Sequence, residues 1–344
     1  MELTRARVLA HRAAAQGLSE TDPSLGVLAL GVVDSPPNTG RAAIAVRSPH
    51  HDEPLTRVLS LRGAPHLHRP ADLPRLRAEL RPRTPAQLRA WCGAFDPPDL
   101  AHLDVVVEAV HEHFPGDTAT KAELSAALTP HVPADIAPHC PPCGAAHVVE
   151  GLFRLATLLA GVELEPRGAK LVFRRPTALP EPTDPTGPTL LRDYARFVGP
   201  FTEADAERWL GAPPSSRPDT TPVTVAGKTL LTCDDMPEAT EATEPPAGLL
   251  LFPRDPYLLG PRWLVAEPDV AKRVWRPVGS PGALVLHGRV AGAWRHAISG
   301  RTMTFRVEGW SKVKGAARAA VKDQADVLAG VWGGNALEAV VVEW

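Results

Sequence analysis

The sequence predicts an α+β protein built from several units, and three observations lead to this prediction. The chain has 344 residues, more than one small module needs at about 100–200 residues per domain. A helix–helix–helix–hairpin order is predicted from residue 100 and begins again near residue 188. From residue 248, short apolar stretches typical of strands follow one another. We therefore expect four regions, at residues 1–99, 100–187, 188–247 and 248–344.

The first region is predicted to be helical and to carry an isolated carboxylate. Helix-start and helix-stop signals indicate a helix over Thr4–Gln16. The apolar stretch Leu25–Val33 is predicted as a second helix, which Pro36-Pro37 ends. Asp34 lies between that stretch and the prolines. By itself this position favours a turn-capping role, because Asp is common before Pro-rich turns.

The second region has the element order of a winged helix. Apolar residues at helical spacing predict a helix over Leu103–His113. Thr120-Lys-Ala-Glu123 is a capping box that opens the next helix. A third helix is predicted over His147–Leu159, and a hairpin over Val162–Arg174 around a Pro-Arg-Gly turn.

The third region begins in the same way, and the fourth is rich in strands. Helices are predicted over Leu190–Phe197 and Thr202–Leu210, with a wing hairpin over Val223–Leu231. The acidic, Pro-rich stretch Asp234–Pro246 indicates a linker or loop. One long helix, Ala316–Leu328, is predicted in the last region. The predicted strands there are Leu249–Phe252, Ala283–His287, Val290–Trp294, Met303–Val307 and Leu337–Val342.

Composition excludes several functional classes. No segment approaches about 20 uninterrupted apolar residues, so we expect no membrane-spanning helix. The amino terminus lacks the apolar core of a signal peptide, so we expect a cytoplasmic protein. Four cysteines in this length do not make a disulfide framework. The net charge of −2 does not indicate DNA binding, although local basic patches can still bind DNA. We expect a monomer without a cofactor.

The cysteine-containing stretch allows three interpretations. Cys140 and Cys143 form a Cys-x-x-Cys pair, and His147 follows four residues later, which is ligand-like spacing for zinc. The second Cys-x-x-Cys of a full zinc motif is absent, so His131 or His139 would have to complete the site. A redox role needs a thioredoxin-like setting that the sequence does not show. We favour structural thiols and predict no metal.

Four motifs carry a resemblance to a known family. They are Arg62–Leu67, Gly199–Gly211, Phe252–Gly260 and Leu286–Trp294. In their sequences and in their order along the chain they resemble the winged-helix crosslink-repair DNA glycosylases of the YcaQ/AlkZ type. The resemblance covers nearly the whole chain. It implies tandem winged helices with a β-barrel-like cap around a DNA-sized channel, and excision of alkylated purines, including crosslinked ones, from double-stranded DNA.

The resemblance also implies a catalytic position. The family signature is Gln, an apolar residue, then Gln or Asp, and it falls on Val32, Val33 and Asp34. The carboxylate is kept and the first Gln is lost, and valine cannot hold a water molecule as an amide can. An alkylated purine is already cationic and leaves without protonation. One carboxylate near C1′ can therefore stabilise the cationic sugar and steer water. His66 is the second catalytic candidate.

The candidate DNA contacts are basic side chains in two parts of the chain. His66 and His68 are predicted in a loop that the resemblance places near the DNA, where histidine can bind phosphate or orient water. A surface role without DNA is the alternative for each residue. The candidate phosphate contacts are Arg41, Arg47, Arg62 and His68, with Arg167, Lys170 and Arg174 on the hairpin. Two functions stay open: a glycosylase, or a winged-helix DNA-binding protein without catalysis.

Overall fold

A computed structural model describes most of the chain. The described residues are 1–19, 24–93, 99–168, 170–176, 189–215, 217–233, 244–333 and 337–342. Their α-helices are α1 (Arg5–Ala15), α2 (Thr39–Ala45), α3 (Leu73–Leu80), α4 (Pro85–Cys92), α5 (Leu100–His113), α6 (Lys121–Leu128), α7 (Glu150–Leu159), α8 (Leu190–Val198), α9 (Glu203–Leu210), α10 (Arg262–Val265), α11 (Pro268–Val274) and α12 (Gly315–Gly333).

The strands form several small sheets and one larger one. They are β1 (Glu2–Leu3), β2 (Val32–Val33), β3 (Thr56–Leu59), β4 (Pro65–His68), β5 (Thr118–Ala119), β6 (His139–Cys140), β7 (Ala145–Ala146), β8 (Glu163–Arg167), β9 (Lys170–Arg174), β10 (Thr221–Val225), β11 (Lys228–Thr232), β12 (Leu249–Leu251), β13 (Gly282–Leu286), β14 (Arg289–Ser299), β15 (Thr302–Gly309) and β16 (Glu338–Val342). The predicted α+β class is confirmed.

The chain divides into two compact units. The first unit contains Met1–Glu53, Arg192–Asp205 and Asp219–Trp344, and the second contains Pro54–Leu191 and Ala206–Pro218. Each unit is therefore built from segments that are distant in the sequence. Among the described residues, no helix is long and apolar enough to cross a membrane.

The second unit contains the predicted helices and hairpin of residues 100–176. Helices α5, α6 and α7 enclose an apolar core that includes Val106, Leu124 and Phe153. The predicted capping box is present, since the Thr120 hydroxyl accepts from the Glu123 backbone and the Glu123 carboxylate accepts from the Thr120 backbone. Strands β8 and β9 form the hairpin, and β5 pairs with the outer side of β9.

The first unit is organised around two sheets. Strands β10 and β11 form a hairpin, and β1 pairs in parallel with β10. Strands β12 to β16 form a five-stranded sheet in sequence order, antiparallel except for the last pair. Helix α12 packs against this sheet through an apolar cluster that includes Phe305, Val321 and Leu328. The Gln324 amide bonds both backbone groups of Leu250, at 2.6 and 3.0 Å, as a neighbouring strand would.

Three local expectations are corrected or lie outside the described residues. The apolar stretch Leu25–Val33 is not one helix: a short 3-10 helix, Gly26–Leu30, is followed by β2. Gly31 adopts a φ of 70° between them, a conformation that a helix does not allow. The predicted loop at His66 and His68 is strand β4, paired with β3. Residues 234–243 of the predicted linker lie outside the described part of the chain.

Candidate functional site

Asp34 lies directly after strand β2, and its side chain is fully buried. Its Oδ1 atom accepts a hydrogen bond of 2.8 Å from the backbone N–H of Gly40. Gly40 is in the first turn of α2, where backbone N–H groups lack partners within the helix. Asp34 therefore has a capping role, as its position in the sequence favoured. It caps the start of α2, however, and not the turn at the prolines. This contact also holds the carboxylate in one orientation.

Arg47, two residues after the end of α2, is buried in an ion pair. Its Nη1 donates to Asp255 Oδ2 at 2.9 Å, and its Nη2 donates to Asp255 Oδ1 at 2.6 Å. Further donations reach Ala43 O and Gln16 Oε1. Both charged side chains are 1% exposed. We therefore correct the expectation that Arg47 contacts phosphate, since its side chain is buried and its Nη1 and Nη2 atoms donate to groups of the first unit.

His66 and His68 are buried on strand β4. The carbonyl of Ala64 can only accept, so His66 Nδ1 carries the hydrogen of their 2.8 Å contact. His68 Nε2 lies 2.9 Å from the hydroxyl of Ser60. Burial holds the pKa of His68 well below its usual value, and His66 adds to this effect. A buried, uncharged imidazole offers no positive charge to a phosphate, so His68 is corrected to a structural role.

Two of the motifs that carry the family resemblance meet in the second unit. Arg62 has a left-handed backbone (φ 55°) and an exposed side chain. A Cβ atom added to Gly211 would lie 2.6 Å from Arg62 Cγ, so only glycine allows this approach. Arg154 Nη1 donates to Gly63 O at 2.6 Å and holds the next residue of the same turn. The turn before β4 is thus in contact with residues from distant segments of the chain.

Two exposed basic side chains of the second unit lie at the tip of its hairpin. Arg167 and Lys170 are paired at the end of β8 and β9, and both are exposed. Arg174, further down the hairpin, forms ion pairs with Glu163 and Glu165 on the facing strand. Arg174 is therefore partly neutralised by protein carboxylates. In the first unit, Arg41 is exposed on α2.

Helix α7 is the third helix of residues 100–176, and it is largely buried. Its residues 155–159 are all buried. A Cβ atom added to Gly151 would lie 1.9 Å from the Trp91 carbonyl oxygen, so α4 packs directly on the start of α7. In a helix-turn-helix protein the corresponding helix enters the major groove. Here that helix is largely buried, whereas the hairpin tip is exposed.

The cysteine-containing stretch brings its three candidate ligands together. The ligand atoms of Cys140, Cys143 and His147 all lie within 4.8 Å of one another. The backbone N–H of Cys143 is the largest cause of a lowered pKa at the Cys140 thiol, and His147 adds to it. Cys92 and Cys233 are both buried.

Buried polar residues that the sequence did not single out organise the first unit. Arg12 is fully buried; its Nε donates to Val198 O at 2.6 Å, and its Nη1 to Tyr257 O and Leu259 O at 3.0 Å each. Asp255 pairs with Arg47 and also caps the turn at Tyr257. Of Arg12 and Asp255, only Asp255 lies within one of the four motifs, Phe252–Gly260. A charged residue in that motif was the one feature of the sequence that could have indicated its structural role.

Comparisons with known proteins agree with this fold. A model of the DNA glycosylase AlkZ-like family matches residues 39–331. The interstrand DNA cross-link repair glycosylase of Streptomyces sahachiroi is 33% identical over 153 residues, which cover 37% of this chain and 41% of that protein. The match thus spans less than half of that relative. The structure of Streptomyces sahachiroi DNA glycosylase AlkZ aligns with a TM-score of 0.70 over 99% of this chain and 100% of that one.

These findings define the class of protein. At 23% identity the structural alignment shows a shared fold. The family model covers most of the chain, so the chain belongs to the AlkZ-like DNA glycosylase family. The resemblance found from the four sequence motifs is confirmed. The family match begins at residue 39, five positions after Asp34.

Proposed function

We propose that this protein is a DNA glycosylase that excises alkylated purines, including crosslinked ones, from double-stranded DNA. Hydrolysis of the N-glycosidic bond would be aided by Asp34. Membership of the AlkZ-like family is the observation that carries this proposal. The relative in Streptomyces sahachiroi, described as an interstrand cross-link repair glycosylase, supports it.

The proposed chemistry needs one oriented anion. Purines alkylated at N7 or N3 are cationic and leave without an acid, so the difficult step is formation of a cationic sugar. A carboxylate beside C1′ stabilises that charge and orients the attacking water. The bond from Gly40 N–H to Asp34 Oδ1 supports this assignment, because an oriented carboxylate needs little reorganisation during the reaction.

The burial of Asp34 adds a requirement. Its side chain has no exposed surface, so excision at this residue requires that DNA binding exposes it. Once a nucleotide has displaced the covering groups, the water-poor surroundings would strengthen the attraction between the carboxylate and the sugar cation. We assign His66 the weaker role of orienting water from β4.

We also propose how the protein binds duplex DNA as a monomer. The order α5, α6, α7 and the β8–β9 hairpin supports a winged helix at residues 100–187. We propose a second winged helix at residues 188–247 and a β-barrel-like cap at 248–344. Because α7 is buried, phosphate contacts in the second unit would come from Arg62 and from the hairpin. The proposed phosphate contacts are Arg41, Arg62, Arg167 and Lys170, with Arg174 contributing less because of its ion pairs.

A second function is favoured by one specific observation. Val32 occupies the position of the family's first glutamine, and it is buried and apolar. Without that amide, and with Asp34 engaged as a helix cap, the chain could bind DNA without excising bases. This alternative is a non-catalytic winged-helix DNA-binding protein.

The substitution Asp34→Asn separates the two functions. Asn keeps an oxygen that can accept from Gly40 N–H, so the cap remains while the negative charge is lost. With duplex DNA containing 7-methylguanine or 3-methyladenine, we expect base release to fall by about 10²- to 10³-fold. DNA affinity and the thermal midpoint should stay unchanged.

Asp99→Asn is the matched control. Asp99 caps α5, so the variant makes the same change of charge at a helix start away from the proposed chemistry. Its excision rate should stay within about threefold of wild type. If Asp34→Asn also stays within about threefold, Asp34 is only a cap and the catalytic assignment is wrong. If the wild-type protein releases no base, the non-catalytic function is the correct one.

A further inference from the structure

The stretch between α6 and α7 folds into a small hairpin that presents three metal-ligating side chains. Strands β6 and β7 pair Cys140 with Ala145. Cys140, Cys143 and His147 each offer one ligand atom, and these atoms lie within 4.8 Å of one another. Zinc–sulfur bonds of about 2.3 Å and zinc–nitrogen bonds of about 2.0–2.1 Å fit a group of this span.

The turn between the two cysteines has a backbone suited to holding a metal. The N–H groups of Cys143 and Gly144 both donate to Cys140 O, at 3.1 and 2.9 Å. Gly144 adopts a φ of 65°, a left-handed conformation that glycine takes without strain. This tight turn returns the chain so that both sulfur atoms lie on the same side.

His147 is oriented in the way that metal-binding histidines are. Its Nδ1 lies 2.9 Å from Val148 O. A carbonyl oxygen only accepts, so Nδ1 carries the hydrogen and Nε2 keeps its lone pair. Histidine ligands commonly donate their other ring N–H to a backbone carbonyl in this manner. The Nε2 atom is therefore the ligand atom of His147.

We propose that Cys140, Cys143 and His147 bind a zinc ion that stabilises the segment leading into α7. Two thiolates and an imidazole favour zinc over magnesium or calcium, which prefer oxygen ligands. Neither His131 nor His139 belongs to the group found among the described residues. His139 precedes Cys140 on β6, so its side chain points to the opposite face of the hairpin. Water occupies the fourth position, because the site lies at the surface.

The zinc ion would tie the hairpin to the start of α7. Val149 N donates to Ile136 O at 3.0 Å, and His147 N donates to Pro138 O at 3.3 Å. These backbone bonds already draw the two ends of the segment together. A metal held by both ends would prevent their separation, so removal of zinc should lower the unfolding temperature. This site is independent of Asp34 and of the proposed excision chemistry.

The first test measures zinc in the purified full-length protein. We expect about one zinc ion per chain after incubation with zinc and gel filtration. The double variant Cys140→Ser/Cys143→Ser should lose this zinc, while Cys92→Ala should keep it. Cys92 is the matched control because it is a buried cysteine of the same unit that does not belong to the ligand group. Zinc content below about a tenth of an ion per chain in the wild-type protein overturns the proposal.

A second test needs no variant and so does not depend on how variants fold. Cobalt(II) replaces zinc and reports its ligands by absorption. Binding to the wild-type protein should give a thiolate-to-cobalt charge-transfer band and intense visible bands of a four-coordinate ion, which added zinc abolishes. A spectrum of hexaaqua cobalt, without the thiolate band, overturns the proposal. Circular dichroism should show that wild-type protein treated with a chelator unfolds at a lower temperature.

Discussion

Neutralising Asp255 should destabilise the first unit more than any surface substitution. The carboxylate of Asp255 receives two hydrogen bonds from Arg47, at 2.6 and 2.9 Å, and one from Tyr257 N at 2.9 Å. The variant Asp255→Asn keeps the size of the side chain and an oxygen acceptor. It leaves the Arg47 guanidinium buried without its counter-ion.

The magnitude follows from the burial of the pair. At the surface such a pair contributes about 0–1 kcal/mol, because water and salt screen it. Arg47 and Asp255 are each 1% exposed, so the uncompensated charge costs about 3–5 kcal/mol. With about 2–4 °C per kcal/mol for a unit of 150–250 residues, the thermal midpoint should fall by roughly 6–20 °C.

Thermal unfolding followed by circular dichroism tests this expectation, with Arg41→Gln as the control. Arg41 is on α2, the helix that Arg47 follows, but it is exposed, so its replacement should change stability by no more than about 0.5 kcal/mol. The double variant Arg47→Met/Asp255→Leu should be more stable than Asp255→Asn, because no lone charge is then buried. A fall of less than about 3 °C for Asp255→Asn would show that water reaches the pair and refute the reasoning.

Three further outcomes are expected. DNA affinity should fall as the salt concentration rises. Replacing Arg167 or Lys170 by Gln should each reduce the slope of log affinity against log salt concentration by about one. An unchanged slope would exclude both residues as phosphate contacts. The pKa of His68 is lower in the folded than in the unfolded protein, so the unfolded state binds more protons and stability should fall as pH decreases below 6.5. The variant His68→Gln should reduce this pH dependence of stability. An unaltered pH profile in that variant would contradict the prediction. Gly151→Ala should lower the free energy of unfolding by about 1–3 kcal/mol, because its Cβ meets the α4 backbone. In the control Gly330→Ala on α12, the new Cβ meets nothing within 4 Å, so stability should be unchanged or higher. Equal effects of the two substitutions would refute the packing argument.

The sequence could predict part of the candidate site, and the structure shows why it could not predict the rest. The family resemblance and the Pro-rich turn both pointed to Asp34. Its partner, Gly40 N–H, lies six residues later, beyond the range of a local capping motif. Arg47 and His68 have side chains typical of DNA contacts, and nothing in their sequence neighbours indicates that they are buried. The partner of Arg47 is 208 residues away.

The sequence by itself determined those features that depend on residues close together along the chain. The capping box at Thr120, the β8–β9 hairpin and the strands after residue 248 follow from neighbouring residues, and the family follows from four motifs. Tertiary structure decided which charges are exposed, because burial depends on segments that meet only after folding. It paired Arg47 with Asp255, covered α7, and brought the ligand atoms of the cysteine-containing stretch within reach of one ion.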